Sequence, residues 1–276
     1  LSYNKINLTK RCVDSVITSG YEPDSVFLFH NGSQLKVREE LQQKYPKINH
    51  KWDEENRGYS GGFNSTMKWV FNCGARSVLF LTNDTIVDSA TLFNCLKTEK
   101  KTDSGFIAPS IFYLKYPEKI DSSGGFFDNK RFTLSHYHDF PLPVYLEPGK
   151  DYIPGTALWM REDVFRETGG MDELFHTYWE DADLSFRCHN SGIRMARSPE
   201  AKVFHGIGQT CHKKPVYTTF YFQRNRIMFC RKYLKGTELK RAIEIIIIEI
   251  EGMKKKAIER SDQRKLGYIS ELEKLF

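Results

Sequence analysis

Over residues 1–100, short apolar runs alternate with segments whose apolar residues recur every three or four positions. That alternation restricts the fold more than any other property of the chain. Leu8 to Ile17 sets Leu8, Cys12, Val13, Val16 and Ile17 on one helical face. Ser25 to Phe29 is a short apolar run flowing into His30-Asn31-Gly32-Ser33, which reads as a strand and its turn. Val37 to Tyr45 predicts a helix halted before Pro46, and Gly61 to Phe71 predicts another, with Gly74 placed to end it. Ser77 to Leu81 reads as a buried strand and leads into Asn83-Asp84-Thr85. Strand and helix in alternation argue for an α/β fold: a Rossmann-like, mostly parallel sheet with helices on both faces. Such sheets bind ligands at the carboxyl ends of their strands. The turns at 30–33 and 82–85 both lie there.

Beyond residue 100 the pattern changes. Gly105 to Tyr152 is rich in Gly, Pro, Ser and aromatics, with little periodicity, and reads as short strands and loops. A second ordered unit runs from Ile153 to Gly208. Tyr217 to Leu234 and Thr237 to Glu259 then read as helices. The expected organisation is a 1–100 half, a 101–215 half and a helical segment over 216–276. In the last helix Ile243, Ile246, Ile247 and Ile250 share one side, and Lys254-Lys255-Lys256 follows. An apolar stripe must cover itself: against the rest of the chain, a second copy of it, or a membrane surface. The basic run suits peripheral contact with an anionic membrane.

The remaining composition narrows the class. No apolar run among the 276 residues approaches the roughly 18 that a membrane span needs. The start carries no signal-peptide pattern, so the expected compartment is the cytosol, with the inner face of the membrane as a further setting. Six cysteines (Cys12, Cys73, Cys95, Cys188, Cys211, Cys230) form no CxxC pair, which favours free thiols over a disulfide framework or a zinc knuckle. Cys211-His212 lacks the second pair that a metal cluster would need. The net charge of +6 gathers late, in Lys213-Lys214, Arg224, Arg226, Arg231-Lys232 and Lys240-Arg241. Basic residues attract phosphates, but no reader motif accompanies them, so nucleic acid is not an expected partner.

Four places could carry chemistry. Glu180, Asp181 and Asp183 follow Phe175, Tyr178 and Trp179. Carboxylates beside apolar rings gain the raised proton affinity of a general base, and acids also suit a helix N-terminus. Asp84, after a strand, is placed either to hold a hard divalent cation against a diphosphate or to close an Asx turn. His205 follows the strand-like stretch Ala201 to Phe204 and is a ligand or a structural histidine. Glu55 to Gly62 opens a helix with glycines that let N–H groups approach an anion. It is neither GxGxxG nor a P-loop, so nicotinamide and P-loop chemistry are unsupported.

Taken together these pieces resemble glycosyltransferase family 2, whose fold is GT-A. From Ser2 to about Leu234 they stand in the family's order. Tyr3-Asn4 resembles the end of the first strand, and Asn31-Gly32-Ser33 the turn after the second. Asn56-Arg57-Gly58-Tyr59-Ser60-Gly61-Gly62-Phe63-Asn64 resembles the Asn-x-Gly…Asn segment, and Asn83-Asp84-Thr85 the metal-binding turn. Pro154-Gly155-Thr156-Ala157, Met160-Arg161 and Gly169-Gly170-Met171-Asp172 resemble the acceptor-side core. Trp179-Glu180-Asp181-Ala182-Asp183-Leu184 with Arg187 resembles the base motif, Val203-Phe204-His205 the late metal histidine, and Tyr221-Phe222-Gln223-Arg224-Asn225 the segment that follows. Within the family, the rhamnosyltransferase-like branch, which makes bacterial surface polysaccharide, looks closest.

The resemblance implies an inverting transferase. It would move a sugar from a nucleoside-diphosphate donor, dTDP-rhamnose or a UDP-sugar, to a glycan or lipid-linked acceptor, with Mg or Mn as cofactor. By the same resemblance Asp181 is the base, ahead of Glu180. Tyr3, Asn31, Asn56, Gly58, Asn83, Asp84 and Arg224 face the donor; Trp179, Asp183, Gly155 and Thr156 face the acceptor; Asp84 and His205 hold the metal. Three positions depart from the family. His30 stands where it usually has Asp beside the nucleobase, Thr82 where its metal turn often has an acid, and little of a first strand precedes Ser2. The chain is therefore expected to begin inside that strand. Two other classes fit part of the pattern. One is a catalytically silent sugar-nucleotide or glycan-binding module, against which Asp181 argues. The other is a sugar nucleotidyltransferase, whose Gly-rich phosphate loop Tyr3 to Arg11 does not resemble.

Overall fold

A computed structural model describes residues 1–139, 141–206 and 215–276. Cys211, His212, Lys213 and Lys214, singled out from the sequence, lie outside them. The N-terminal stretch runs α1 (Ile6–Thr18), β1 (Phe27–Asn31), α2 (Leu35–Lys44), β2 (Asn49–Asp53), α3 (Gly58–Asn72), β3 (Ser77–Leu81), β4 (Thr85–Val87) and α4 (Thr91–Thr102). Then come β5 (Phe106–Tyr113), β6 (Tyr116–Ser122), β7 (Gly125–Asp128), β8 (Thr133–His136), β9 (Asp151–Tyr152), β10 (Ala157–Arg161), α5 (Glu162–Thr168), α6 (Glu180–Asn190) and β11 (Met195–His205). The chain closes on α7 (Pro215–Tyr233), α8 (Gly236–Glu259) and α9 (Gln263–Glu273).

The α/β class holds, but the sheet is mixed rather than mostly parallel. β1 and β2 pair in parallel, as do β5 and β11. β10 runs antiparallel to both β3 and β5, β4 antiparallel to β11, and β6 antiparallel to β5. The central order is β3-β10-β5-β11-β4. The physical reason is connection. The parallel rule belongs to strand-helix-strand units such as β1-α2-β2. β10 instead arrives after the excursion through β6 to β9 and enters between β3 and β5 from the opposite end. Leu1 and Ser2 join the two parallel strands to this sheet: Leu1 N donates to Leu81 O at 3.0 Å, Ser2 N to Phe29 O, and Asn31 N to Ser2 O.

Three elements leave little trace in the sequence. β2 reads Asn-His-Lys-Trp-Asp, with no alternation, and exists because β1 offers it a parallel edge. α4 buries polar Thr91, Asn94 and Thr102 beside Cys95, so its inward face does not look apolar. Asn94 is satisfied by donating to Glu200 O. α9 packs Ile269 and Leu272 against α8 and α7.

The core lies on both faces of the main sheet. Phe63, Met67, Phe80, Phe106, Leu158 and Met160 fill the side covered by α3 and α5. A second, aromatic cluster joins Trp179 and Phe186 of the α6 region to Phe127, Phe229, Ile246 and Ile250. The small antiparallel sheet β8-β7-β9 is stitched to β11 by Arg197, only 3% exposed. Its guanidinium donates to Asp151 Oδ2 at 2.6 Å and to the carbonyls of Ser123, Pro143 and Tyr145.

The isoleucine stripe of α8 faces the chain's own core. Ile246 and Ile250 are buried in the aromatic cluster, Ile243 packs against it and Ile247 is half-buried, so the chain itself covers most of this stripe. On the outer side Ile248 stays 65% exposed. Among the described residues no helix is long and apolar enough to cross a membrane. Ile246→Ala is expected to lower the free energy of unfolding by about 2–5 kcal/mol, and Ile248→Ala to change it by less than about 0.5 kcal/mol. Urea denaturation of the two variants measures the difference; equal effects would mean that α8 does not dock by this face.

Candidate functional site

The site is built around an unusual approach to α6. In the four residues before it, His176, Tyr178 and Trp179 all take left-handed backbone angles, with φ of 60°, 69° and 74°. Bulky residues avoid this region, at a cost of order 1–3 kcal/mol each. Asn225 of α7, fully buried, holds the segment: its Nδ2 donates to the carbonyls of Phe175, Thr177 and Tyr178 at 2.6, 2.8 and 2.8 Å. The His176 carbonyl accepts from Tyr59 N and Ser60 N at the start of α3. This corrects one expectation. The first N–H groups of α3 are spent on His176 and are not free to receive an anion. Gly58 is needed because a Cβ there would lie 2.3 Å from the His176 ring.

The strained turn delivers Glu180 and Asp181 to the first turn of α6. Asp181 is half-buried. Its Oδ2 accepts from Gly155 N at 2.9 Å and its Oδ1 from Ala182 N at 2.8 Å. Burial raises its pKa, against the pull of those two N–H donors. Glu180 is 5% exposed, and its Oε2 has no hydrogen-bond partner among the described residues. Burial first, and then the Asp181 charge, push its pKa well above the ordinary value. Asp181 is thus the member of the pair better able to carry the charge. Tyr59 donates its hydroxyl to Gly155 O and lies within electrostatic reach of Glu180, Asp181 and Asp84; burial and those acids hold it protonated.

A second cluster sits where β4 and β11 pair. Asp84 Oδ2 lies 3.6 Å from His205 Nε2, and His205 Nδ1 lies 3.3 Å from Asp121 Oδ2. All three side chains are at most 15% exposed. Thr82, standing in place of an acid, donates to Asp84 Oδ1 at 2.8 Å and orients it. Burial alone would raise the Asp84 pKa, but His205 and Thr82 bring it below the usual value. Burial likewise disfavours charge on His205, yet Asp121 and Asp84 lift it to about 9. One carboxylate and one imidazole 3.6 Å apart match two ligands of a single divalent ion with bonds of about 2.1 Å. Among the described residues no group of three His, Cys, Asp or Glu side chains forms a complete cage.

The other residues named from the sequence divide. Asn31 and Asn56 serve the backbone. Asn31 Nδ2 donates to Gly58 O at 2.7 Å and Asn31 Oδ1 accepts from Arg57 N, while Asn56 Oδ1 accepts from Gly58 N. Asn83 is buried, donating to Thr9. Tyr3 is 39% exposed. Arg224 donates to Leu174 O and to Asn225 Oδ1. Gly155 sits between Tyr59 and Asp181, and Thr156 O accepts from Thr82. Two acceptor-side expectations are corrected. Trp179 is 1% exposed inside the aromatic cluster, and Asp183 is 0% exposed, bound to Arg187, Lys232 and Tyr233. Asp183 is turned inward because α6 presents Ala182, Asp183 and Phe186 to α7, and Trp179 because the left-handed turn before α6 carries it into the aromatic cluster. His30 is also fully buried, 3.3 Å from His50 on the neighbouring strand, with its pKa lowered to about 3, by burial above all.

Sequence reasoning passed over Tyr59, Asp121 and Asn225. Tyr59 and Asn225 stood inside quoted segments without a role. Asp121 lies in the Gly-, Ser- and aromatic-rich stretch, where its only local signal is Asp-Ser-Ser-Gly-Gly.

Residues 1–169 match the model of "Glycosyl transferase family 2". An N-acetylglucosaminyl-diphospho-decaprenol L-rhamnosyltransferase of Mycobacterium tuberculosis is 23% identical over 236 residues, 75% of this chain and 74% of that protein. A low-salt glycan biosynthesis hexosyltransferase of Haloferax volcanii is 22% identical over 63% of this chain and 57% of its own length. Among solved structures, a mannosyltransferase of Pyrobaculum calidifontis in complex with GDP-Man and Mn²⁺ superimposes with a TM-score of 0.57 at 11% identity, over 98% of this chain and 71% of that one. Staphylococcus aureus TarS with UDP-GlcNAc gives 0.56 at 14% identity, over 89% and 68%.

The turn before α6 depends on one amide. Asn225→Ala leaves three carbonyls without their donor and is expected to lower the free energy of unfolding by about 2–3 kcal/mol. An unchanged urea midpoint would mean that the left-handed turn holds itself.

Proposed function

The chain belongs to glycosyl transferase family 2, and from that premise we propose that it is an inverting transferase using a nucleoside-diphosphate sugar, a divalent metal and Asp181 as base. The observation that carries this reading is the pairing of a half-buried carboxylate, anchored by two backbone N–H groups, with a buried Asp84–His205 pair in the same fold. The reaction is a single displacement at the anomeric carbon. The acceptor oxygen forms the new bond while the bond to the diphosphate breaks, and Asp181 takes the acceptor hydroxyl proton. Gly155 N and Ala182 N hold the carboxylate in one orientation, so little reorganisation accompanies proton transfer. Burial and the Asp181 charge raise the proton affinity of Glu180 beside it, which disfavours a second charge there. Asp84 and His205 would hold the metal, with Mg or Mn fitting the donor set. When bound, it neutralises charge building on the leaving diphosphate.

The donor we favour is dTDP-rhamnose or a UDP-sugar, and the acceptor a glycan or lipid-linked sugar of surface polysaccharide. The names of the Mycobacterium and Haloferax relatives support this choice. A lipid-linked acceptor would bring the chain to the inner face of a membrane. His30 is shut away against His50, so it offers the nucleobase no side chain.

Asp181→Asn should retain nucleotide binding, seen as an unchanged thermal shift with UDP or dTDP, and lose transfer by at least about a hundredfold. The assay is release of nucleoside diphosphate from a panel of UDP-, dTDP- and GDP-sugars with candidate acceptors. Near-normal turnover in this variant would remove Asp181 from the reaction. EDTA should abolish activity and Mn²⁺ restore it; full activity in EDTA would show that protein cations carry the leaving group instead.

A further inference from the structure

We propose that Asp121 is a positioning residue for the cation site: it holds the His205 ring so that Nε2 and the Asp84 carboxylate address the same point. This rests on the metal reading above. His205 is the last residue of β11, opposite Thr85 of β4 and Tyr113 of β5. The ladder fixes its backbone and leaves two side-chain torsions undetermined. An imidazole can bind a cation through either nitrogen, and the one that binds is set by the hydrogen bond the other makes. Here Nδ1 faces Asp121 Oδ2 at 3.3 Å, which leaves Nε2 on the Asp84 side at 3.6 Å.

Asp121 is well placed for this work because it belongs to a different strand and is itself held. It lies near the end of β6, which pairs with β5. The turn after it is closed by Ser122 Oγ, which donates to Gly124 O and accepts from Gly124 N. Gly124, at φ of 102°, takes a conformation that a side chain would resist. Ser123 N donates to Tyr137 O and Tyr137 N to Gly124 O, tying the turn to the residue after β8. The Asp121 side chain is 11% exposed and lies on the far side of the ring from Asp84, so it stands behind His205 and does not complete a ligand set. Its charge also makes the imidazole a stronger donor to a cation.

The test is Mn²⁺ binding in the presence of UDP, dTDP or GDP, followed by loss of the free Mn²⁺ electron paramagnetic resonance signal. No acceptor is needed. Asp121→Ala should raise the Mn²⁺ Kd by about 10–100-fold. Asp121→Asn, which keeps an oxygen to accept from Nδ1 but no charge, should lose less. Asp84→Ala provides the comparison in which a ligand itself is removed. The graded order, with the urea midpoints of both Asp121 variants near that of the parent, supports the assignment. Wild-type affinity in Asp121→Ala, with binding lost in Asp84→Ala, overturns it and leaves the metal site standing. Equal loss in both Asp121 variants together with a fall in the urea midpoint would reduce Asp121 to a fold residue. If the parent chain binds no Mn²⁺ with any of the three nucleotides, the metal reading itself fails and takes this inference with it.

Discussion

The contact on which the rest of the site depends is one buried amide, the Nδ2 group of Asn225, shared among three carbonyls. The segment it holds crosses through left-handed space at His176, Tyr178 and Trp179. No local preference favours that path for large side chains. Because the turn is held, its His176 carbonyl can cap α3, its indole can fill the aromatic cluster, and the next two residues can start α6 with the Asp181 carboxylate on Gly155 N. Three helices and the acid pair therefore share one constraint, and strain at the turn is offset by the order it imposes.

Buried charge frames the site from below. Asp183 is neutralised by Arg187 and Lys232, and Asp151 by Arg197. These pairs are weak evidence for stability, since desolvating both partners costs about as much as their attraction returns. Their geometric effect is clearer. Asp183 locks the first turns of α6 to α7, and Arg197 ties the β7–β9 sheet to the strand that ends in His205. Among the described residues Glu180 has no such partner, and its raised proton affinity follows first from burial and then from the Asp181 charge. One short run of acids thus yields a buried acid of raised proton affinity, an anchored carboxylate and a structural ion pair, separated by which way each points.

Much of the fold was legible because its signals are local. The helices at α1, α2 and α3 and the strand Ser77–Leu81 carry periodicity or apolar runs that any tertiary context would keep. The turn after the strand, at 30–33, was equally readable, and the structure adds that Gly32 in it is left-handed. β2, α4 and the direction of β10 were not, because each depends on a neighbour far along the chain: an open edge at β1, polar partners such as the Glu200 carbonyl, and an entry point between β3 and β5. The site divides the same way. Asp84, His205 and the acids at 180–181 stood out as carboxylates and imidazole at strand and helix ends. Whether a residue in such a run faces ligand or core depends on helix phase against α7 for Asp183 and on the left-handed turn for Trp179, and neither is legible locally.

By itself the sequence determined the α/β class, the order of the chemical groups along the chain and the resemblance to a family, since these rest on spacing and residue type. Only the tertiary structure decided which groups meet. Asp84 and His205 are separated by 121 positions, and Asp121 reaches His205 across 84. Glycine-rich Gly58 to Gly62 looked free to take a phosphate until His176, more than a hundred residues on, was found to occupy its N–H groups. Hydrogen bonds and burial between distant segments are properties of the packed chain, so the identity of a residue announces its chemistry, and its neighbours in space decide whether that chemistry is exposed, spent or poised.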